Sequence, residues 1–411
     1  MNRKSLVTAL GALVMVALAA TAFAQVRTLG VSSVRTVTPV RTLPLRDLHN
    51  LNLSPILRRI LMNKYVAQHT IDQLREKLIR SGLLQASAQP FTIENYRIKP
   101  AMKQAPRVVD PVMQTKLYGP RPNAITAGLS FPGIGASDLP NPDSIGCAPP
   151  DTDMAVGTND VVEITNLCGA SGVGYFKIWD KTTGAVVQDT TSLSGLWAAG
   201  SGCDAGNGDS VVMYDQLANR WILTQFNNAI TGECVAISQT GDPTGAYYLY
   251  NFVIDANGFT DYPKLGVWPN SYFVSDNDFP GGSFSHVNFT ALQRSAMLAG
   301  SAAQMVVING SSASGAIDYS VLPAYLDGMA SPPTNDPGIF ANFSSPYFNG
   351  TSGYDLNFWR MTVDWANPSA ATLTGPVSVP VNQFNDGICG LARACIPEPS
   401  PASSGDYLDS L

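Results

Sequence analysis

The sequence predicts an all-β main domain over residues 122–411, built of β-propeller-like repeated antiparallel sheets. Three observations carry this. Short runs rich in Val, Ile, Tyr, Phe and Trp recur between clusters of Gly, Pro, Asn and Asp, as strands and turns require. A pattern of strand, Asp, short turn and strand recurs at Lys177–Asp180, Val212–Asp215 and Met361–Asp364. Charged residues are only 14% of the chain, with 36 Gly and 29 Pro among 411 residues. That composition excludes a coiled coil, a long helical solenoid and a highly charged disordered chain. Radial repetition of hairpins hides strand edges, which favours a propeller. The repeat spacing is irregular, so a β-sandwich of two face-packed sheets is the alternative.

The expected strands, in chain order, are 161–164, 175–179, 211–214, 221–226, 234–237, 247–253, 272–275, 305–308 and 358–363. His286 falls in the alternating run Phe284–Phe289 and reads as a strand residue. Ala291–Leu298 reads as a short helix, with Thr290 as cap and Gly300 as stop. Asp180, Asp215 and Asp364 stand where an Asp side chain bonds to the backbone two residues on, so they are expected to form turns rather than to act in chemistry.

The first 24 residues read as a secretory signal peptide. Arg3 and Lys4 precede the apolar run Val7–Ala20, and Ala22-Phe23-Ala24 matches a small-x-small cleavage site before Gln25. The apolar run is short for a spanning helix, and no later stretch approaches the length of one. The expected mature chain is secreted or periplasmic, without a transmembrane segment.

Residues 25–121 form a basic extension or pro-segment. They hold 16 Lys and Arg against 5 acidic residues, whereas residues 122–411 hold 7 against 26. Ser54-Pro55, the spacing of Ile56, Leu57, Ile60 and Leu61, and Thr70 with Gln73 predict one or two helices between Pro55 and Ser81. The extension is expected to pack on its own acidic main domain or to be removed. The formal net charge of −6 disfavours a nucleic-acid partner.

Six cysteines, Cys147, Cys168, Cys203, Cys234, Cys389 and Cys395, all follow the signal. An even count in an exported chain predicts disulfides. Cys389 and Cys395 are the simplest pair, and the pairing of the other four is open.

Carboxylates dominate the candidate sites. Asp151 with Asp153, Asp204 with Asp209, and Asp276 with Asp278 form oxygen-rich clusters suited to a structural Ca2+, a hard cation, or else to ordinary Asp-rich turns. Paired carboxylates such as Asp151 and Asp153 also serve glycoside hydrolysis. Trp197, Trp268 and Tyr272 are candidates for stacking on sugar rings, or else core residues. His286 is the one histidine of the main domain, so a Ser-His-Asp triad could use no other. No G-x-S-x-G elbow, H-E-x-x-H, Walker A or G-x-G-x-x-G motif at a strand-to-helix junction occurs, so no nucleotide cofactor is expected.

Cys147–Gly157, Gly208–Ala218 with Asn219-Arg220-Trp221, Asp261–Trp268, Val363–Pro368 and Leu408–Leu411 together resemble a family of exported bacterial β-repeat proteins of unassigned activity. The resemblance covers residues 120–411. It implies a repeat-built, propeller-like fold and transfers no catalytic residue. In that family the text after Leu408–Leu411 runs on into further sheet units, so this chain is expected to be truncated at its C-terminus and its repeat incomplete. The first functional expectation is a secreted binding or surface-interaction protein for an unknown extracellular or cell-surface ligand. The alternative is an exported hydrolase of glycans or another polymer using paired carboxylates.

Overall fold

The computed structural model describes residues 26–46, 128–135, 138, 151–166, 174–205, 207–310, 319–328, 331–346 and 351–384, with the backbone of 394–397 and 407–409. Among the described residues the main domain forms four antiparallel sheets, in each of which four successive strands pair in chain order.

Residues 26–46 supply three strands. They form β1 (Arg27–Gly30), β2 (Ser33–Val37) and β3 (Val40–Arg41). Sheet 1 contains β4 (Asp153–Val156), β5 (Asp160–Asn166), β6 (Gly174–Asp180) and β7 (Val186–Ser192). Sheet 2 contains β8 (Val211–Asp215), β9 (Arg220–Phe226), β10 (Gly232–Ser238) and β11 (Tyr247–Val253). Sheet 3 contains β12 (Thr260–Val267), β13 (Ser271–Asp278), β14 (His286–Gln293) and β15 (Ala303–Asn309), with the helix α1 (Arg294–Leu298) before β15. Sheet 4 contains β16 (Leu322–Pro323), β17 (Gly338–Ser344), β18 (Asp355–Thr362) and β19 (Thr372–Pro380). A separate antiparallel pair follows, β20 (Ala394–Pro397) and β21 (Tyr407–Asp409).

The first strands are neighbours in order: β4 lies against β8, β8 against β12, and β12 against β16. The sheets pack face to face in the same succession. Alternate residues of one sheet fill one apolar core, and the residues between them fill the next. Sheets 1 and 2 share Val162, Phe176, Ile178, Val212, Trp221 and Ala236. Sheets 2 and 3 share Ile222, Val235, Phe252, Leu265, Tyr272 and Val274. Sheets 3 and 4 share Phe273, Phe289, Val306, Phe340, Trp359 and Leu373. This serial packing differs from the two face-packed sheets of the sandwich alternative.

The described part of the extension, residues 26–46, contributes strands to the sheets of the main domain. β1 pairs with β19, β2 with β15 and β3 with β11, so one segment adds a fifth, outermost strand to three sheets in turn. An outer strand otherwise offers a row of unpaired N–H and C=O groups, and these pairings occupy it. Arg35 adds a side-chain bond to the Val253 carbonyl (2.7 Å). The helix read over 55–81 lies outside the described residues, as does the signal segment.

The 291–298 helix is shorter than its apolar spacing predicts. Ala291 and Leu292 continue β14, opposite Phe273 and Tyr272. Burial against β13 outweighs local helix propensity there. The helix begins at Arg294, and Gly300, at φ 63°, ends the turn. Asp180 and Asp364 form turns as expected, accepting from the N–H groups of Thr182 and Ala366.

Cys203 and Cys234 form a disulfide, which ties the loop before β8 to β10. Cys147, Cys168 and Cys389 lie outside the described residues, and of Cys395 only its place on β20 is described, so the expected Cys389–Cys395 pair is not seen. Among the described residues no helix is long and apolar enough to cross a membrane.

Candidate functional site

Three acidic residues stand where successive first strands begin. Asp151 precedes β4, Asp209 precedes β8 and Asp261 is the second residue of β12. All three are half-buried. The backbone there is unusual. Asp151, Asp209 and Tyr262 have φ of 42°, 47° and 59°, in the left-handed region that side chains other than glycine seldom occupy. Asp tolerates that region better than an aromatic residue does. Tyr262 also sits in a register shift between Asp261 and Lys264, where β12 departs from its ladder with β13. The bulge leaves Tyr262 37% exposed. Lys264 Nζ lies 3.7 Å from the centre of its ring.

The electrostatics are acidic and only partly balanced. Burial, then the charges of Asp261 and Asp151, push the Asp209 carboxyl up to about 8, against the pull of Lys264. Asp151 accepts from Asn166 Nδ2 (2.6 Å). Asp153 accepts from the N–H groups of Val212 and Met154, both at 2.9 Å, which fixes β4 beside β8. Burial still raises its carboxyl above the usual value.

Beyond this acidic group a polar seam lies between sheets 2 and 3. Glu233 on β10 shares a face with Val235 and Ile237 of the apolar core, and Asp276 on β13 shares one with Tyr272 and Val274. Glu233 is 1% exposed and Asp276 2%. Among the described residues neither Glu233 oxygen nor Asp276 Oδ2 has a hydrogen-bond partner, and the same holds for Thr224 Oγ1 and Thr290 Oγ1. Asp276 Oδ1 accepts from Asn288 Nδ2 (2.7 Å). Burial holds the Glu233 carboxyl well above its usual range, and Asp276 and Asp209 push it further. Burial does the same to Asp276, with Asp278, Asp261 and Asp255 adding to it.

Gly232 lets the chain enter the seam. Its φ is 157°, and a Cβ there would lie 2.0 Å from the Phe252 carbonyl oxygen. A side chain would displace β10 from β11 beside Glu233.

At the outer end Asp255, Asp278 and His286 converge, each offering one ligand atom within 4.8 Å of the others. His286 Nε2 stands 3.6 Å from Asp278 Oδ2. His286 also bonds Ser285 Oγ (2.9 Å) and Asn288 Oδ1 (3.1 Å). Burial and the neighbouring Asp255 raise Asp278 to about 6. Burial lowers His286. Two carboxylates and an imidazole in such proximity form a ligand set for a divalent ion or a proton-holding cluster.

The structure sorts the acidic residues singled out in sequence. Asp151 and Asp209, far apart in the chain, come close enough for their charges to act on one another, and Asp276 and Asp278 join the seam. Asp153 serves the backbone of β8. Asp204 accepts from Gly200 N–H and Asn228 Nδ2, which holds its carboxyl low. Trp197, Trp268 and Tyr272 are buried, so none presents a stacking face. Sequence reading missed Glu233, Asp255, Asp261 and Lys264. Glu233 carried one usable signal, a charged residue at an inward position of an otherwise apolar strand. A surface recess lined by Thr158, Asp160, Asn219 and Asp242 lies at the opposite end of sheets 1 and 2.

No family model matches the chain, and no curated protein matches it. Among solved structures it is similar to an exo-β-1,3-galactanase of Clostridium thermocellum, at 10% identity and a TM-score of 0.30, covering 59% of this chain and 60% of that one. It is similar also to an exo-β-1,3-galactanase of Phanerochaete chrysosporium, at 10% identity and a TM-score of 0.28, covering 56% and 62%. The chain thus spans less than two thirds of either enzyme.

Proposed function

We propose that the protein is an exported, carboxylate-dependent hydrolase of a glycan or related polymer, with its site at the mouth formed by Asp151, Asp209 and Asp261. The observation that carries this reading is the pairing of unlike carboxyl groups. Burial first, and then the negative charges of Asp261 and Asp151, raise Asp209 to about 8, so that it holds its proton at neutral pH. Acid–base hydrolysis of an acetal needs one protonated and one ionised carboxyl in a single site. Asp209 then protonates the leaving oxygen, and Asp261 or Asp151 acts on the opposite side as base or nucleophile. Lys264 limits the accumulated negative charge. The exposed ring of Tyr262 offers an apolar face for a sugar. Left-handed backbone at Asp151, Asp209 and Tyr262 supports the reading, since such strain collects at functional sites. In this reading the four sheets are blades of a propeller, the mouth lies on its axis, and the chain belongs with the exported β-repeat family its motifs resemble.

The test is a hydrolysis screen of neutral, acidic and β-linked polysaccharides, using wild type and Asp209→Asn. Turnover by wild type that falls at least about a hundredfold in the variant is the expected result. A binding module, the other reading, would retain a polysaccharide on affinity gels without turnover, and equally well in both proteins.

A further inference from the structure

The seam between sheets 2 and 3 poses a problem that the proposed hydrolytic site does not solve. Glu233 and Asp276 lie deep in the molecule, and carboxylates can only accept hydrogen bonds when ionised. No described donor reaches either Glu233 oxygen or Asp276 Oδ2. Leaving a buried charged group unsatisfied is among the most expensive arrangements in a protein.

The register shows that the unsatisfied oxygens share one space. On sheet 2, Glu233 stands opposite Phe226, and Thr224 stands opposite Val235, one rung along on the same face. On sheet 3, Asp276 stands opposite Asn288, and Thr290 stands opposite Val274, again one rung along on the same face. Val235 and Val274 belong to the same interface core. The two faces therefore meet with a carboxylate and a threonine hydroxyl on each side. Asp276 acts electrostatically on Glu233, as expected of groups across a narrow gap. The adjoining Cys203–Cys234 disulfide and Gly232 hold this end of β10 in place.

We propose that a Ca2+ ion binds in this gap, held by Glu233 Oε1 and Oε2 and Asp276 Oδ2, with Thr224 Oγ1 and Thr290 Oγ1 completing the protein's share of the donors. The donor set is all oxygen, which selects a hard cation over Zn2+. A buried site with a bidentate carboxylate suits Ca2+, with about 6–8 ligands at flexible geometry, better than Mg2+, which keeps its waters in a strict octahedron. The ion supplies positive charge where, among the described residues, Lys264 is the cation acting on Glu233. It locks sheet 2 to sheet 3 behind the mouth. The rim group of Asp255, Asp278 and His286 is distinct, because it contains a nitrogen donor and its carboxylates already have partners.

The test uses the full mature chain, stripped with a chelator and titrated with CaCl2 by calorimetry at pH 7.5 in two buffers of different ionisation heat, without any polysaccharide. Failure here therefore leaves the hydrolase reading standing. One Ca2+ per chain is expected, with release of protons from the seam and a rise in melting temperature. Glu233→Gln should weaken binding by about tenfold or more, because ligand charge sets affinity in such sites. His286→Gln should bind as wild type does. Diffraction from wild-type crystals grown with CaCl2 should place the ion between β10 and β13, whatever the variants do. Absence of binding at about 10 mM CaCl2, well above the affinities of extracellular calcium modules, would overturn the proposal. So would binding of ZnCl2 in place of CaCl2, loss of Ca2+ in His286→Gln with retention in Glu233→Gln, or an ion located at the rim.

Discussion

Arg294 closes on Asp215 with two parallel bonds, Nε to Oδ2 at 2.7 Å and Nη2 to Oδ1 at 3.0 Å. Tyr272 donates its hydroxyl to the same Oδ2 (2.7 Å). Asp215 ends β8, the strand that Asp209 precedes, so one short strand links two opposite solutions to buried charge. At one end a guanidinium from the start of α1 neutralises the carboxylate with matched geometry. At the other, Lys264 acts on Asp209 and Glu233, whose carboxyls are raised by burial and by the acidic groups around them. The difference separates a structural clamp from a reactive or cation-binding region.

Arg294→Met is expected to destabilise the fold by about 3–5 kcal/mol, the usual cost of removing one partner from a buried ion pair. Urea unfolding measures it. Asp215→Asn combined with Arg294→Met should cost less than the sum of the single changes, because the double variant leaves no charge uncompensated. Strict additivity would show that the pair is not coupled.

Activity on any polymer that the screen identifies should fall as pH rises through about 8, where Asp209 loses its proton. Asp209→Glu should keep partial activity and move that limb, whereas Asp209→Asn should abolish both. A profile flat between pH 6 and 10, pH values chosen to span about two units either side of the group, contradicts the assignment of Asp209 as the acid.

The metal-free protein should lose stability as pH rises from about 4 to about 8. The sign follows from linkage. Asp209 is raised from its ordinary 3.8 to about 8, and Glu233 and Asp276 are raised as well, so across that window the folded state holds more protons than the unfolded chain. Stability is full below the ordinary carboxylate range and is lost on the way up. Asp278, raised to about 6, contributes in the lower half of the window. Thermal melts in chelator at half-unit pH steps measure the slope. Glu233→Gln should flatten it, because an amide does not titrate.

Cys203→Ser with Cys234→Ser should cost about 2–5 kcal/mol and lower activity beyond the loss of folded protein, because the bond anchors the loop leading to Asp209. Chemical denaturation and specific activity per folded molecule separate the two effects.

Removing residues 25–46 should expose the outer edges of β11, β15 and β19 together. Light scattering should then show association that wild type lacks, since an uncovered edge strand recruits another chain. A truncated protein as monomeric and stable as wild type would mean that the segment is dispensable, as a removable pro-segment requires.

The all-β class, nearly every strand of sheets 2 and 3, and the turn roles of Asp180 and Asp364 were legible in the sequence. They depend on period-two burial and on turn chemistry acting over a few residues. The acidic character of the main domain was legible too, and Asp151, Asp209, Asp276 and Asp278 stood out by local clustering. Their partners did not. Asp151 meets Asp209 and Asp261 because first strands of consecutive sheets lie side by side, and Glu233 meets Asp276 because facing sheets bring opposite inward positions into one gap. Those interactions join residues tens of positions apart, with no local trace in the chain. The same applies to residues 26–46, whose strand pairing is supplied by the open edges of sheets 2, 3 and 4. Local sequence set which residues are extended and which turn. Only the packing of one sheet on the next decided which charges are buried together, because desolvation and mutual repulsion exist only once distant segments share a space that water has left.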